Sequence, residues 1–128
     1  MIEKIIISGY TATPDNPKMG KTALGSSDSV DWEYSEDIID TIEKLKKRGT
    51  KIISIEQADR SLKIEDFKPL KDNKYAFIFG NEVDGIQDEI INVSDDVIEI
   101  PQVGTKHSLN VSVAAGIVLW DFFYKTEI

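Results

Sequence analysis

The sequence predicts an α/β fold built on a mainly parallel sheet. Three observations carry that expectation: four short runs rich in β-branched or aromatic residues, longer segments of helical character between them, and turn formers where the runs end. The runs are Lys4 to Ser8, Lys51 to Ile55, Tyr75 to Phe79 and Val97 to Ile100. At 128 residues the chain is expected to form a single domain, residues 1–128, with no repeat, linker or low-complexity tract.

After the first strand, Gly9 to Tyr34 reads as a long connection rich in turn formers, and loops of this length in compact domains are often functional. Ser35 to Arg48 is the clearest surface helix. Ser35 is expected to cap it, Ile38, Ile42 and Leu45 form its apolar stripe, and Gly49 stops it. Its acids come first and its bases last, which complements the helix dipole. Gln57 to Asn73 reads as a second irregular stretch, in which Pro69 discourages a long helix. Asp88 to Ile91 belongs to a further helix.

The last segment, Ser108 to Lys125, is different. Leu109, Val113, Ile117, Trp120 and Tyr124 form one stripe, while Val111, Ala114, Ala115, Val118, Leu119 and Phe122 cover most of the remaining surface. A helix apolar nearly all round packs inside a domain, against a partner subunit, or both.

Composition excludes several kinds of chemistry. There is no cysteine, which removes disulfides, thiolate metal sites and cysteine nucleophiles and weakly implies a cytoplasmic setting. A formal charge of -8 argues against phosphate-driven, sequence-independent nucleic-acid binding. Local basic spots remain at Lys18 with Lys21 and at Lys106 with His107, each of which also reads as ordinary solvated loop residues. The single histidine has no metal-ligand spacing around it, so no metal site is expected. His107, Ser108 and Asp84 do not make a triad, since adjacent residues at a helix start point apart and no nucleophile-elbow pattern is present. No segment approaches a membrane span, and no P-loop or G-x-G-x-x-G occurs.

Two stretches concentrate the functional signal. Phe79 to Ile86 is Phe-Gly-Asn-Glu-Val-Asp-Gly-Ile, in which Gly80 permits close approach of a ligand to the backbone and Glu82 sets a carboxylate beside it. The same residues also read as an ordinary strand-to-helix turn. Ile100 to Ser112 begins with a strand-ending Pro101, turns at Gly104, and reaches Ser108, a candidate cap for the last helix, and Asn110, an amide in its first turn. A capped helix with an exposed Asn explains it equally well. Ligands in open α/β sheets bind at the carboxyl ends of strands, so two such loops imply one pocket.

Taken together, Gly80-Asn81-Glu82-x-x-Gly85 and Ile100-Pro101-x-x-Gly104-x-x-x-Ser108-Leu109-Asn110-Val111-Ser112-x-Ala114-Ala115 resemble the second and third signature motifs of the SpoU, or TrmH, RNA methyltransferases of the SPOUT class. Lys21-Thr22-Ala23-Leu24-Gly25 in the Pro14 to Gly25 loop is similar to this family as well. The resemblance implies a parallel sheet with helices on both faces and a C-terminal deep trefoil knot, an exception to the rule against threaded chains. It implies S-adenosylmethionine as cofactor, held at Gly80, Ile100 and Leu109, with Ile55 and Ser108 as further candidates. It implies methyl transfer to a ribose 2'-hydroxyl of tRNA or rRNA, with Glu82, Ser108 and Asn110 organising the acceptor and the site. A homodimer through the C-terminal helix is implied too.

Family members carry a first motif, an Asn and a downstream Arg, on a β–α unit before the strand matched by Lys4 to Ser8. That unit is missing here, so the domain reads as N-terminally truncated. Arg48 and Arg60, the chain's two arginines, stand in no matching context. Two further readings follow: a catalytically inactive cofactor- or RNA-binding remnant of the family, and an α/β enzyme acting on a small molecule.

Overall fold

The computed structural model describes residues 4–8, 31–80, 85–101 and 111–128. Its contacts form two compact units, divided within one helix between Glu43 and Lys44.

In the first unit, β1 (Lys4–Ser8) pairs in parallel with β2 (Asp31–Ser35), with Lys4 opposite Asp31 and Ser8 opposite Ser35. β2 occupies the end of the region expected to be connection up to Tyr34 and runs one residue further, to Ser35, where the helix was expected to begin. Its alternation of Asp31, Glu33 and Ser35 with Trp32 and Tyr34 is the period of a strand, carried by two aromatic residues rather than an apolar run. The helix α1 (Ile38–Lys47) follows. Its cap is Asp37 rather than the expected Ser35: the Asp40 amide donates to Asp37 Oδ1 at 3.1 Å. Ser35 instead donates from Oγ to the Asp37 carbonyl at 3.0 Å and shares a 2.6 Å hydroxyl bond with Thr41. Ser35 thus braces the capping residue and the first turn.

At its other end α1 stops as expected. Gly49 has φ 86°, its N–H bonds the Lys46 carbonyl, and the Thr50 N–H bonds the Leu45 carbonyl, the pairing of a Schellman motif.

The second unit is a four-stranded sheet in the order β4-β6-β3-β5, comprising β3 (Lys51–Ile55), β4 (Leu62–Lys63), β5 (Tyr75–Phe79) and β6 (Asp96–Glu99). Every pairing is parallel. β6 begins one residue earlier than expected because Asp95 extends its ladder: the Asp95 N–H bonds the Ile52 carbonyl, and the Ile52 N–H bonds Asp95 Oδ2 at 2.7 Å. β4 and a following 3-10 turn, Ile64–Asp66, give order to part of the stretch read as irregular.

Both faces of β3 are covered, as a parallel sheet requires. Ile52 and Ile53, on opposite faces, are essentially inaccessible, and each contributes about 1.5–3 kcal/mol by leaving water. On one face, Ser54 is buried against Ser94 through a 2.6 Å hydroxyl bond, and Ser94 also donates to the Ile90 carbonyl of α2 (Asp88–Val93). On the other, Ile53, Phe67 and Ile98 form the core, with Tyr75, Phe77 and Phe122 packed on it.

Phe122 belongs to α3 (Val111–Glu127), and its ring meets those of Tyr75 and Phe77 at 5.3 and 5.4 Å. One turn on, Lys125 Nζ donates to the carbonyls of Ile64 and Phe67, both at 2.7 Å, and pairs with Asp121 at 2.8 Å. Ala114 and Val118 complete the buried face. The stripe of Val113, Ile117, Trp120 and Tyr124 is exposed, with Trp120 at 61%. Within one chain, α3 is therefore buried on one side only. The stretch 108–110 of the expected helix lies outside the described residues.

Candidate functional site

Three adjacent parallel strands, β6, β3 and β5, deliver their carboxyl ends to one edge of the second unit. Ile55, the last residue of β3, stands opposite Phe79 of β5 and Ile98 of β6. Gly80 leaves β5 directly after Phe79, and Ile100 leaves β6 directly after Glu99. The structure thus brings together Ile55, Gly80 and Ile100, each partly buried, on the edge where such sheets bind ligands. Glu82, Ser108, Leu109 and Asn110, the remaining sequence-predicted site residues, lie outside the described residues.

Gly80 is required by its own backbone surroundings. A Cβ there would lie 2.5 Å from the Gly85 carbonyl oxygen and 2.6 Å from the Ile86 nitrogen, closer than any side-chain carbon is found. Gly80 and Gly85 therefore touch backbone to backbone. Gly85 has φ 66°, and the space its Cβ would take is filled by Glu56 Oε2. That oxygen accepts the Ile86 N–H at 2.9 Å, while Oε1 accepts the Gln57 N–H at 3.2 Å.

Glu56 was not among the residues singled out from sequence. It follows β3 directly, and its own N–H continues the ladder to the Ile98 carbonyl at 3.0 Å. Its only sequence signal is a carboxylate placed directly after a buried strand, where a polar group turns toward whatever the strand end adjoins.

Arg60 is committed elsewhere. Its Nη2 donates to the carbonyls of Ile91 and Ser94, and Lys46 Nζ donates to that of Val93 at 2.7 Å. These carbonyls close α2 just before β6 begins, so both cations serve the amino-terminal edge of the sheet, where they complement the helix dipole. Among the described residues, no group of three His, Cys, Asp or Glu could hold a metal ion, and no helix is long and apolar enough to cross a membrane.

Comparison with known proteins agrees with the geometry. Residues 1–120 match the model of the SpoU rRNA Methylase family. A tRNA (guanosine(18)-2'-O)-methyltransferase of Aquifex aeolicus is 33% identical over 93 residues, covering 70% of this chain and 43% of that protein. An uncharacterized tRNA/rRNA methyltransferase of Borreliella burgdorferi is 34% identical over 122 residues, 94% of this chain and 51% of that protein. The chain spans about half the length of the curated relatives it matches. Among solved structures, the A. aeolicus TrmH/SpoU tRNA modifying enzyme aligns with a TM-score of 0.82 at 26% identity, over 98% of this chain and 62% of that one. An AdoMet-bound rRNA methyltransferase from Sinorhizobium meliloti shares the fold, with a TM-score of 0.83 at 22% identity over 95% of this chain and 46% of that one. With nearly its whole length matched by the family model and its strands and helices superposed on family structures, the chain belongs to the SpoU rRNA methylase family.

Proposed function

We propose that this chain carries the S-adenosylmethionine-binding part of an RNA ribose 2'-O-methyltransferase acting on tRNA or rRNA. The observation that carries the reading is the convergence of Ile55, Gly80 and Ile100 at the carboxyl ends of three neighbouring parallel strands. Leu109 joins them in holding the donor, whose sulfonium supplies an electrophilic methyl group for in-line displacement by an alcohol. Glu82, Ser108 and Asn110 orient the ribose hydroxyl and exclude competing water, so that attack is geometrically pre-set. A C-terminal deep trefoil knot within a single domain is part of the same proposal. The relatives' names, and the donor bound in the S. meliloti structure, support this reading.

Calorimetric titration with S-adenosylmethionine tests the donor site. Saturable binding that is lost in Gly80→Ala is expected, and absence of binding by the unaltered chain overturns the reading. Incubation with labelled donor and total tRNA or rRNA then tests catalysis.

A second reading, an inactive cofactor- or RNA-binding member of the family, is favoured by one observation: Arg60 is tied to α2 rather than facing the strand ends. Donor binding without methyl incorporation would establish it.

The exposed stripe Val113, Ile117, Trp120 and Tyr124 supports assembly as a homodimer through α3. Trp120→Glu is expected to convert a dimer into monomers in sedimentation velocity. A monomeric unaltered chain removes this part of the proposal.

A further inference from the structure

We infer that Glu56 is a positioning residue for the donor site, a clamp that holds Gly85 and Ile86 against Gly80 at the end of β5. The inference rests on the S-adenosylmethionine site proposed above and names a residue that supports it from the neighbouring strand.

Four features carry it. Glu56 lies at the carboxyl end of β3, the central strand of the three that converge, and its main chain is fixed there by the bond to Ile98. Its side chain crosses to the β5 side, where Oε2 takes the Ile86 N–H at 2.9 Å from a residue 30 positions on. That same oxygen occupies the space beside Gly85 that any side chain would fill, so glycine at 85 is required by the clamp as well as by φ 66°. Gly85 and Ile86 in turn form the surface against which Gly80 is pressed, with 2.6 Å from its absent Cβ to the Ile86 nitrogen. Glu56, Ile86, Gly85 and Gly80 are thus a continuous chain of contacts from the end of β3 to the end of β5.

Ile86 itself is buried, so its N–H needs a partner within the fold, and a carboxylate makes the stronger kind of bond to it. The effect of Glu56 on the donor passes through the backbone of Gly80, which makes its role one of positioning.

The test is donor affinity, measured by calorimetry on chains shown by circular dichroism to be folded at the assay temperature. Glu56→Ala is expected to weaken S-adenosylmethionine binding about tenfold or more, the scale of one lost charge-assisted bond at a pre-formed site. Glu56→Gln keeps one acceptor for the Ile86 N–H and is expected to recover affinity to within about threefold of the unaltered chain. Gly49→Ala serves as the comparison for stability alone, because Gly49 lies at the opposite edge with nothing within 4 Å of its Cβ direction. Its melting temperature should fall while its affinity stays.

Unchanged affinity in Glu56→Ala overturns the clamp and leaves the proposed donor site standing. A loss in Gly49→Ala equal to that in Glu56→Ala overturns it as well, since affinity would then merely follow stability. No binding by the unaltered chain overturns the donor site and the clamp with it.

Discussion

Gly49 and Gly85 both occupy the left-handed region, φ 86° and 66°, and they stand at opposite edges of the same four-stranded sheet. Their surroundings differ. Beside Gly49 there is open space, and the residue is needed only for its dihedral angles, to close α1 and lead into β3. Beside Gly85 the Glu56 carboxylate fills the position of the missing side chain, and Gly80 presses on the same backbone from the other side. The amino-terminal edge is stapled by side chains that end elements: Arg60 and Lys46 on the carbonyls of α2, and Asp95 on β3. The carboxyl-terminal edge is shaped by residues that lack side chains. A glycine with room around it marks a chain reversal, whereas one without room marks a place where backbones are brought together for a purpose.

That contrast can be broken by substitution. Gly80→Ala should have the largest effect, because the new methyl meets backbone that cannot rotate away: about 3 kcal/mol or more in urea unfolding, with donor binding abolished. Equal stability of this variant and the unaltered chain would show that Gly80 does not press on Gly85 and Ile86 as described.

Gly85→Ala comes next, at about 2–3 kcal/mol, the sum of left-handed strain and a displaced carboxylate. A double-mutant cycle sharpens the point: in a Glu56→Ala background the same change should cost only about 1–2 kcal/mol, the strain alone. Additive effects would separate Gly85 from Glu56.

At the other edge, Arg60→Ala should cost about 1–2 kcal/mol by leaving the Ile91 and Ser94 carbonyls to water, with donor affinity unchanged. Gly49→Ala should be the mildest, about 1 kcal/mol, again without a change in affinity. A drop in donor affinity in either variant would mean that the two edges are coupled and that the division between them is false.

The edges also differ in how far they could be read from sequence. β1, β3 and β5 are contiguous apolar runs and were legible with their boundaries, and Gly49 marked the end of α1. β2 was not, because Asp31, Glu33 and Ser35 alternate with two aromatic residues at the end of a turn-rich stretch, and polar content outweighed period. The cap of α1 was misplaced by two residues because Ser35 and Asp37 are both good capping residues, and only the fold decides between them. Gly80, Ile100 and Ile55 were legible as strand-end positions, from the runs that precede them. Glu56 was not, because its partner is a main-chain N–H 30 residues away, and backbone groups leave no trace in sequence pattern.

One feature of the core bears on how the chain reaches this state. Lys125 ties α3 to carbonyls 61 and 58 residues earlier, while β3 and β5 pair across a much shorter span, Lys51 to Tyr75. Closing longer loops costs more entropy before any contact repays it, so docking of α3 is expected to follow pairing of β3 with β5. Until it docks, Phe67, Tyr75 and Phe77 lack the Phe122 ring that packs on two of them, and an intermediate with the sheet formed but α3 detached presents an aromatic surface to other chains. The lysine near the end of the last helix thereby holds the docked state that covers this aromatic surface.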